Sequence, residues 1–374
     1  MDWFVLFIVV GSGYLIFFII VSLGIALSKK PKKATSLPTV SILVACKNEE
    51  IDLERCLYSL EALKYPEHLV EVILIDDEST DATPEIIAQA VQRNPNFVSF
   101  HTKASKPTHL KAKARAIDFG ANQAKNEWLF IVDADAKLHP DWISHMVHGI
   151  DDKTGMIGGL ILTEEDSYFS LASIEKVALL YTQPMIAGMF SYGVPPICSG
   201  PNMAIRRDVY EAFGGLKNVD FKVAEDQALT RIVLKSGYRI QFHLSAQTMA
   251  LLKTVPSVAH FISQQRRWLL GGFEREFAVW GPLVFAFAYH FILSLILLFG
   301  WLITVKGTLI CLFMVLISDF VYLAVTKWKL RTSNLLRFWP LMSLYATIAF
   351  IWMPLSVIAS RKIRWKGVGY EVKY

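Results

Sequence analysis

The stretch Trp128-Leu-Phe-Ile-Val-Asp-Ala-Asp135 decides the fold, because five apolar residues run directly into two carboxylates one residue apart. A short apolar run that ends in polar residues indicates a strand buried on both faces. Two further short apolar runs are Val40–Ala45 and Glu71–Ile75, and the second is followed by Asp76-Asp77. The run Met156–Leu162 predicts a fourth strand. Buried strands of this kind predict an α/β domain with a mostly parallel sheet.

Helical patterns separate these strands. Apolar residues recur near helical spacing between Glu49 and Leu63, and Thr83 is placed to cap a helix whose first residue is Pro84. In parallel sheets, ligands bind outside the carboxyl ends of the strands. We therefore expect the two acidic pairs, Asp76-Asp77 and Asp133/Asp135, to converge on one crevice.

The composition is that of a membrane protein: 53% of the 374 residues are hydrophobic and 19% are charged. Four apolar segments are long enough to cross a bilayer. They are Trp3–Leu27, Val279–Val305, Gly307–Thr326 and Phe338–Ser360. A net charge of +5 gives no case for a nucleic-acid partner, and the four cysteines show no metal or disulfide spacing.

The pattern divides the chain into an anchor at 1–28, a catalytic domain at 29–278, a C-terminal membrane region at 279–360 and a basic cytoplasmic tail at 361–374. Lysines collect at 29–33, directly after the anchor, which places the catalytic domain in the cytoplasm. We expect an integral protein of a bacterial inner (cell) membrane. The sequence makes no prediction of oligomeric state.

One conflict follows from this topology. If all three C-terminal segments cross, the basic tail ends outside, whereas its positive charge favours the inside. Phe338–Ser360, interrupted by Pro340 and Pro354, is the segment best suited to be re-entrant or interfacial. Tyr168–Ile197 is apolar in parts, and it either lies on the membrane, where it could admit a lipid acceptor, or forms buried core.

Asp133 and Asp135 could hold a hard divalent cation, Mg²⁺ or Mn²⁺, that also binds a diphosphate. The alternative is a solvated turn after a strand. Asp76 and Asp77 could accept hydrogen bonds from a base or a ribose, or could belong to a turn. Lys113 is the preferred candidate, within a basic stretch, for contact with the diphosphate.

Glu225-Asp226 precedes a helical pattern that ends near Gly237, so both acids lie at a positive helix N-terminus. Asp226 is therefore a candidate general base, with helix capping as the alternative. Gln264, Arg267 and Trp268 share one helix face by spacing. That face could bind a nucleotide sugar, or it could anchor a juxtamembrane helix at the interface.

Taken together, these motifs resemble a membrane-integrated family 2 glycosyltransferase, of the group with ceramide glucosyltransferases and polysaccharide synthases. The resemblance covers Val40 to about Trp268 and rests on the order of seven motifs. These are A-C-K-N-E at 45–49, I-D-D at 75–77, K-A-R-A at 113–116, D-A-D at 133–135, S-G-P-N-M-A at 199–204, E-D at 225–226 and Q-x-x-R-W at 264–268.

The resemblance implies a GT-A fold, a UDP-sugar donor and inversion by a single displacement. Asp226 would be the base, with Glu225 beside it. The implied donor-binding residues are Asn48, Glu49, Asp76, Asp77, Lys113, Asp133, Gln264, Arg267 and Trp268; the metal ligands are Asp133 and Asp135; the acceptor would meet Gly200, Asn202 and Trp268.

The acceptor is expected to be a membrane lipid or a lipid-linked glycan. A processive polysaccharide synthase is the alternative, although Ala224 replaces the usual threonine of T-E-D, and Trp365-Lys-Gly-Val368 lacks an arginine. Two other classes fit less well. A transporter or scaffold would carry more polar groups than the single Asp319 in its apolar segments, and a nucleotidyltransferase would not need the Q-x-x-R-W helix.

Overall fold

The computed structural model describes residues 2–28, 31–104, 109–164, 167–168, 170–194, 197–219, 224–272, 277–332, 334–359, 362–365 and 368–371. The helices are α1 Trp3–Leu27, α2 Leu53–Glu61, α3 Thr83–Arg93, α4 Ala112–Gln123, α5 Trp142–Met146, α6 Leu171–Ser191, α7 Arg207–Ala212, α8 Glu225–Lys235, α9 Val258–Gly272, α10 Phe277–Phe299, α11 Val305–Leu330 and α12 Trp339–Ala359. The strands are β1 Val40–Cys46, β2 Val70–Asp76, β3 Phe97–His101, β4 Trp128–Asp133, β5 Lys137–Leu138, β6 Thr154–Gly159, β7 Ile161–Thr163, β8 Asn202–Arg206, β9 Arg239–His243, β10 Ala250–Leu252, β11 Lys362–Trp365 and β12 Val368–Glu371.

The main sheet has the strand order β3-β2-β1-β4-β8-β6-β9. Strands β3, β2, β1 and β4 pair in parallel, as do β6 and β9, whereas β8 is antiparallel to both of its neighbours. Phe130 and Leu129 are both fully buried and belong to core clusters on opposite faces of the sheet. The prediction of a mostly parallel α/β sheet is therefore confirmed.

The fourth predicted strand is in fact two strands. Leu160 separates β6, in the main sheet, from β7, in a small sheet of order β5-β10-β7. Gly159 lies at the break, where a side chain would collide with Asn202 and with the backbone of Thr248. A continuous apolar pattern cannot show that the chain changes sheets, because both halves are buried.

Three helices are long and apolar enough to cross a membrane by length and composition, within the described part of the chain: Trp3–Leu27, Val305–Leu330 and Leu335–Ser356. The predicted segment that begins at Val279 forms α10. Helix α1 packs against α11 and α6.

Helix α6 occupies most of the segment Tyr168–Ile197, for which surface and core positions were both open. It crosses α1 where Gly188 meets the backbone of Val21, and Gly24 meets the backbone of Gly188. Most of its residues are buried. The segment is therefore largely core, and it joins the α/β domain to the apolar helices.

Candidate active site

Lys113 connects two acids that are distant in sequence. Its Nζ lies 2.5 Å from Oδ1 of Asp133 and 3.4 Å from Oε1 of Glu225. Asp133 ends β4, Lys113 is in the first turn of α4, and Glu225 begins α8. Burial by itself lowers the pKa of Lys113, but the two carboxylates outweigh it and hold this pKa above its ordinary value. The site therefore keeps a cation at the carboxyl edge of the sheet.

Asp226 lies beside this cation and is held by backbone groups. Its Oδ2 accepts a hydrogen bond from the Gly200 amide at 3.0 Å, and its Oδ1 accepts one from the Gln227 amide at 2.8 Å. Burial, followed by repulsion from Glu225, raises the pKa of Asp226 to about 6, although Gly200 and Lys113 act in the opposite direction. Such a carboxylate is mostly ionised at neutral pH and can still accept a proton.

Gly200 leaves little space for a side chain. A Cβ atom here would lie 3.1 Å from Lys113 Nζ and 3.4 Å from Asp226 Oδ2. Glycine therefore allows the backbone to approach both charged groups closely. Gly200 lies beside Lys113 and Asp226, and its predicted contact with the acceptor stays a prediction.

Asp77 is buried at the end of β2, with 2% of its surface exposed. Its Oδ1 accepts hydrogen bonds from Arg115 Nη2 at 2.6 Å and from Thr102 Oγ1 at 2.9 Å. Its Oδ2 has Lys47 Nζ at 3.9 Å but receives no hydrogen bond within the described residues. A buried acceptor without a donor is costly, so a ligand N–H or O–H that reached Oδ2 would gain a favourable hydrogen bond.

The side chain of Asp76 bonds to other residues than that of Asp77. Its Oδ2 pairs with His101 Nδ1 at 2.9 Å, and its Oδ1 accepts from the Ser79 amide at 3.2 Å. Both oxygens are therefore used within the protein. Asp76 and Asp77 were both predicted to bind the donor; the two side chains have different partners, and donor binding by Asp76 stays a prediction.

Asn48 and Glu49 join the loop after β1 to the loop after β2. Asn48 has a φ of 53° and its Oδ1 accepts from the Thr80 amide at 2.9 Å, while the Glu49 amide donates to Thr83 Oγ1 at 2.8 Å. These contacts fix the two loops that flank Asp77. Both residues lie near the predicted nucleoside site. The hydrogen bonds described above join the two loops, and donor binding by Asn48 and Glu49 stays a prediction.

The Asp133/Asp135 pair can contribute to a metal site without completing one. Side chains from α2 fix its backbone, since Arg55 Nη1 donates to the Asp135 carbonyl at 2.7 Å and Cys56 Sγ donates to the Asp133 carbonyl at 3.6 Å. Among the described residues, no group of three or more His, Cys, Asp or Glu side chains is arranged to hold a metal ion. Two carboxylates still fit Mg²⁺ or Mn²⁺, because such ions take their other ligands from water and substrate phosphates.

Helix α9 is held in place at Gln264, the first residue of the Q-x-x-R-W motif. Gln264, 8% exposed, donates from Nε2 to Oε1 of Glu175 on α6 at 3.1 Å, and the Val255 amide donates to Oε2 of Glu175 at 2.9 Å. Trp268 is partly buried against the apolar core, and Arg267 is partly buried beside it. The observed partner of Gln264 is therefore a protein carboxylate, and its predicted donor contact stays a prediction.

Asn202 differs from the expectation. Its fully buried side chain accepts a bond from Trp142 Nε1 at 3.0 Å and donates to the carbonyls of Leu160 and Thr248, each at 2.8 Å. Both amide hydrogens are used, so the side chain has none left for an acceptor sugar. Asn202 instead joins β8 to the chain break after β6.

Lys47 and Glu175 were not singled out from the sequence, and Arg115 was only one of several cations in the basic stretch around Lys113. Arg115 and Lys47 fall inside the K-A-R-A and A-C-K-N-E motifs, so the motifs contained the signal for them. Glu175 offered a weaker signal, as the single acid of a largely apolar helix. Burial raises the pKa of Glu175, while its bonds from Val255 and Gln264 lower it.

A mostly parallel sheet with acidic residues gathered at its carboxyl edge is typical of GT-A glycosyltransferases, and here it is joined to apolar helices. A solved structure supports this: the mannosyltransferase PcManGT from Pyrobaculum calidifontis, in complex with GDP-Man and Mn²⁺, is similar with a TM-score of 0.56. The match covers 93% of this chain and 99% of that one at 19% identity, which shows the fold. The family model for glycosyl transferase family 21 matches residues 3–374, and the chain belongs to that family.

Curated relatives with a similar sequence are also sugar-transferring synthases. A β-monoglucosyldiacylglycerol synthase of Nostoc sp. (strain PCC 7120 / SAG 25.82 / UTEX 2576) is 26% identical over 251 residues, 66% of this chain and 51% of the relative. A poly-β-1,6-N-acetyl-D-glucosamine synthase of Staphylococcus aureus (strain COL) is 27% identical over 275 residues, 71% of this chain and 62% of the relative. The chain thus spans between half and two thirds of the length of these relatives.

Proposed function

We propose that this protein transfers a sugar, with inversion, from a nucleoside diphosphate sugar to a hydroxyl of a membrane lipid or lipid-linked glycan. The observation that carries the proposal is Asp226, a carboxylate with a pKa of about 6, held beside the Lys113 cation. A base and a cation in one crevice provide for proton removal and for a departing diphosphate.

In the proposed reaction, the acceptor oxygen attacks the anomeric carbon while its proton passes to Asp226. The bond from that carbon to the diphosphate oxygen breaks, and the nucleoside diphosphate leaves with the electron pair. One displacement inverts the anomeric centre and needs no covalent intermediate. The ion pairs of Lys113 keep its ammonium group at the site of the developing negative charge.

A divalent cation would be held by Asp133 and Asp135 together with the diphosphate. When bound, it supplies Lewis-acid stabilisation of the leaving group. Glu225 forms an ion pair with Lys113, and its negative charge raises the pKa of Asp226. We assign Glu225 to tuning the base.

The nucleoside site favours uracil. Asp77 Oδ1 already accepts bonds from Arg115 and Thr102, so only Oδ2 remains for a base. Uracil offers a single N–H at N3, whereas guanine presents adjacent N–H groups that are best matched by two free carboxylate oxygens. One remaining acceptor fits the first pattern, and a UDP-sugar is the donor we propose.

The acceptor is proposed to be a lipid because the helices beside the site pack directly on the apolar ones. Helix α6 carries Glu175, which binds α9, and also packs on α1. The similarity to a glucosyldiacylglycerol synthase favours the same class of acceptor. We place the protein in a bacterial inner membrane with its catalytic domain on the cytoplasmic face.

A processive polysaccharide synthase is the second candidate, favoured by the similarity to the poly-N-acetylglucosamine synthase. The deciding experiment incubates purified protein in nanodiscs with a panel of UDP- and GDP-sugars and membrane lipids, then sizes the products by mass spectrometry. We expect lipid carrying one added sugar from a UDP-sugar, and no product with Asp226→Asn. Long polymers would support the synthase, and nucleotide release without a glycosylated product would contradict both.

A further inference from the structure

Helices α1 and α10 run in opposite directions. The rings of Tyr14 and His290 have centroids 5.7 Å apart, and the ring of Phe7 packs against Gly300. Moving towards the N-terminus of α1 therefore means moving towards the C-terminus of α10. If α1 leads into the catalytic domain from the far side of the membrane, α10 leads back to that far side.

Helix α11 runs parallel to α1. Phe7 also lies beside Gly307, whereas the rings of Phe18 and Tyr322 have centroids 5.1 Å apart. At the end of α11, the Lys329 ammonium donates a hydrogen bond to the Ser28 carbonyl, where the chain enters the catalytic domain. Helix α11 thus returns the chain to the catalytic side. Trp339, the first residue of α12, donates from Nε1 to the Leu316 carbonyl at 2.8 Å, near the middle of α11.

The chain after α12 is also on the catalytic side. Strand β11 packs against α9, the helix whose Gln264 is bonded to Glu175. A helix of 21 residues that crossed the bilayer would carry the chain about 30 Å away. Because β11 begins directly after α12 and still contacts α9, α12 cannot have carried the chain to the far side.

One side of α12 packs against other helices of the protein, and another side is exposed. Tyr345 Oη donates to Gln265 Oε1 of α9 at 3.4 Å, and the Phe350 ring stacks on His290 at 4.2 Å. On another stripe, Leu344, Ile348 and Leu355 are 55%, 46% and 54% exposed. Spacings of four and seven residues place these three side chains on one face.

We propose that α12 does not cross the membrane but lies in the leaflet next to the catalytic domain, with Leu344, Ile348 and Leu355 against lipid acyl chains. The crossing helices are α1, α10 and α11. An α-helix satisfies its own backbone hydrogen bonds, so it can lie within the leaflet. The basic tail then stays on the side of the 29–33 lysines, as its charge requires.

The first test is labelling of single introduced cysteines with a membrane-impermeant maleimide in right-side-out and inverted vesicles. Glu54→Cys is in the catalytic domain, Leu302→Cys is in the exposed connection between α10 and α11, and Glu371→Cys is in the tail. The four native cysteines are buried, so unmodified protein is the background control. This topology does not depend on the donor or acceptor.

We expect Glu54→Cys and Glu371→Cys to be labelled in inverted vesicles only, and Leu302→Cys in right-side-out vesicles only. If Glu371→Cys instead follows Leu302→Cys, α12 crosses and the proposal is wrong. If Leu302→Cys follows Glu54→Cys, the assignment of α10 and α11 as crossing helices is wrong.

The second test identifies what covers the exposed face of α12. Benzoylphenylalanine is introduced at Ile348, with Phe350 as the matched control because its ring is stacked on His290. After illumination in native membranes, we expect lipid adducts at position 348 and crosslinks within the chain at 350. A crosslinked dimer at 348, or the absence of lipid adducts there, would overturn the lipid-facing assignment.

Discussion

The amide of Gly200 donates a 3.0 Å hydrogen bond to Oδ2 of Asp226. Because the donor is backbone, the position of the carboxylate depends on the path of the chain before β8. The missing side chain at Gly200 also leaves room for Lys113. Gly200 therefore contacts the proposed base directly and leaves space for its neighbouring cation.

Replacement of Asp226 by Asn removes the proposed base while keeping the size of the side chain. We expect turnover to fall by about 100-fold or more, the usual contribution of a general base. The Kd for UDP, measured by calorimetry, should change little, because Asp226 contacts the backbone and not the nucleoside site. Unchanged turnover would exclude Asp226 as the base.

Transfer should depend on the ionised form of Asp226. Because its pKa is about 6, the ionised fraction falls as the pH decreases below that value. We expect kcat/KM to be level above about pH 7 and to fall about tenfold per pH unit well below 6. UDP binding measured over the same range is the control, and a rate that rises on acidification would contradict the assignment.

The nucleoside site can be tested at adjacent residues. Asp77→Asn turns one carboxylate oxygen into an N–H donor, and we expect the Kd for uridine to rise about tenfold, the effect of losing one charge-assisted bond. Asp76→Asn is the matched control, because both oxygens of Asp76 are bonded within the protein. An equal loss from both variants would show a structural effect only.

A change in the proposed metal site should affect binding of the diphosphate but not of the nucleoside. Asp135→Ala should weaken binding of UDP in the presence of Mg²⁺ or Mn²⁺ while leaving binding of uridine unchanged, because uridine carries no diphosphate. Chelation of the metal in the unmodified protein should reproduce the pattern. If UDP binding is indifferent to both changes, the proposed metal role is incorrect.

Glu175 is expected to position the Q-x-x-R-W helix. In Glu175→Ala, Gln264 loses its partner, which should lower kcat about tenfold and cost about 1–3 kcal/mol of folding stability. Glu175→Gln keeps one acceptor oxygen and should restore part of the activity. If the Gln variant is stable but as inactive as the Ala variant, hydrogen bonding to Gln264 is not the reason for the loss.

The sequence alone determined the features that depend on local pattern. Apolar runs predicted β1, β2 and β4 to within a residue or two, because strands buried on both faces must be continuously apolar. Parallel pairing then required the acidic ends of β2 and β4 to meet at one edge. The ordered motifs predicted the glycosyltransferase class, which the family match confirmed.

Only the tertiary structure decided which polar groups are already paired. Asp76 and Asp77 are neighbours in sequence, yet both oxygens of Asp76 take part in bonds within the protein, whereas Oδ2 of Asp77 accepts none within the described residues. Asn202 is committed to Leu160 and Thr248, and Glu175 reaches Gln264. These partners come from segments far apart in the chain, so hydrogen bonding between them depends on how the elements pack, which no local pattern of residues records.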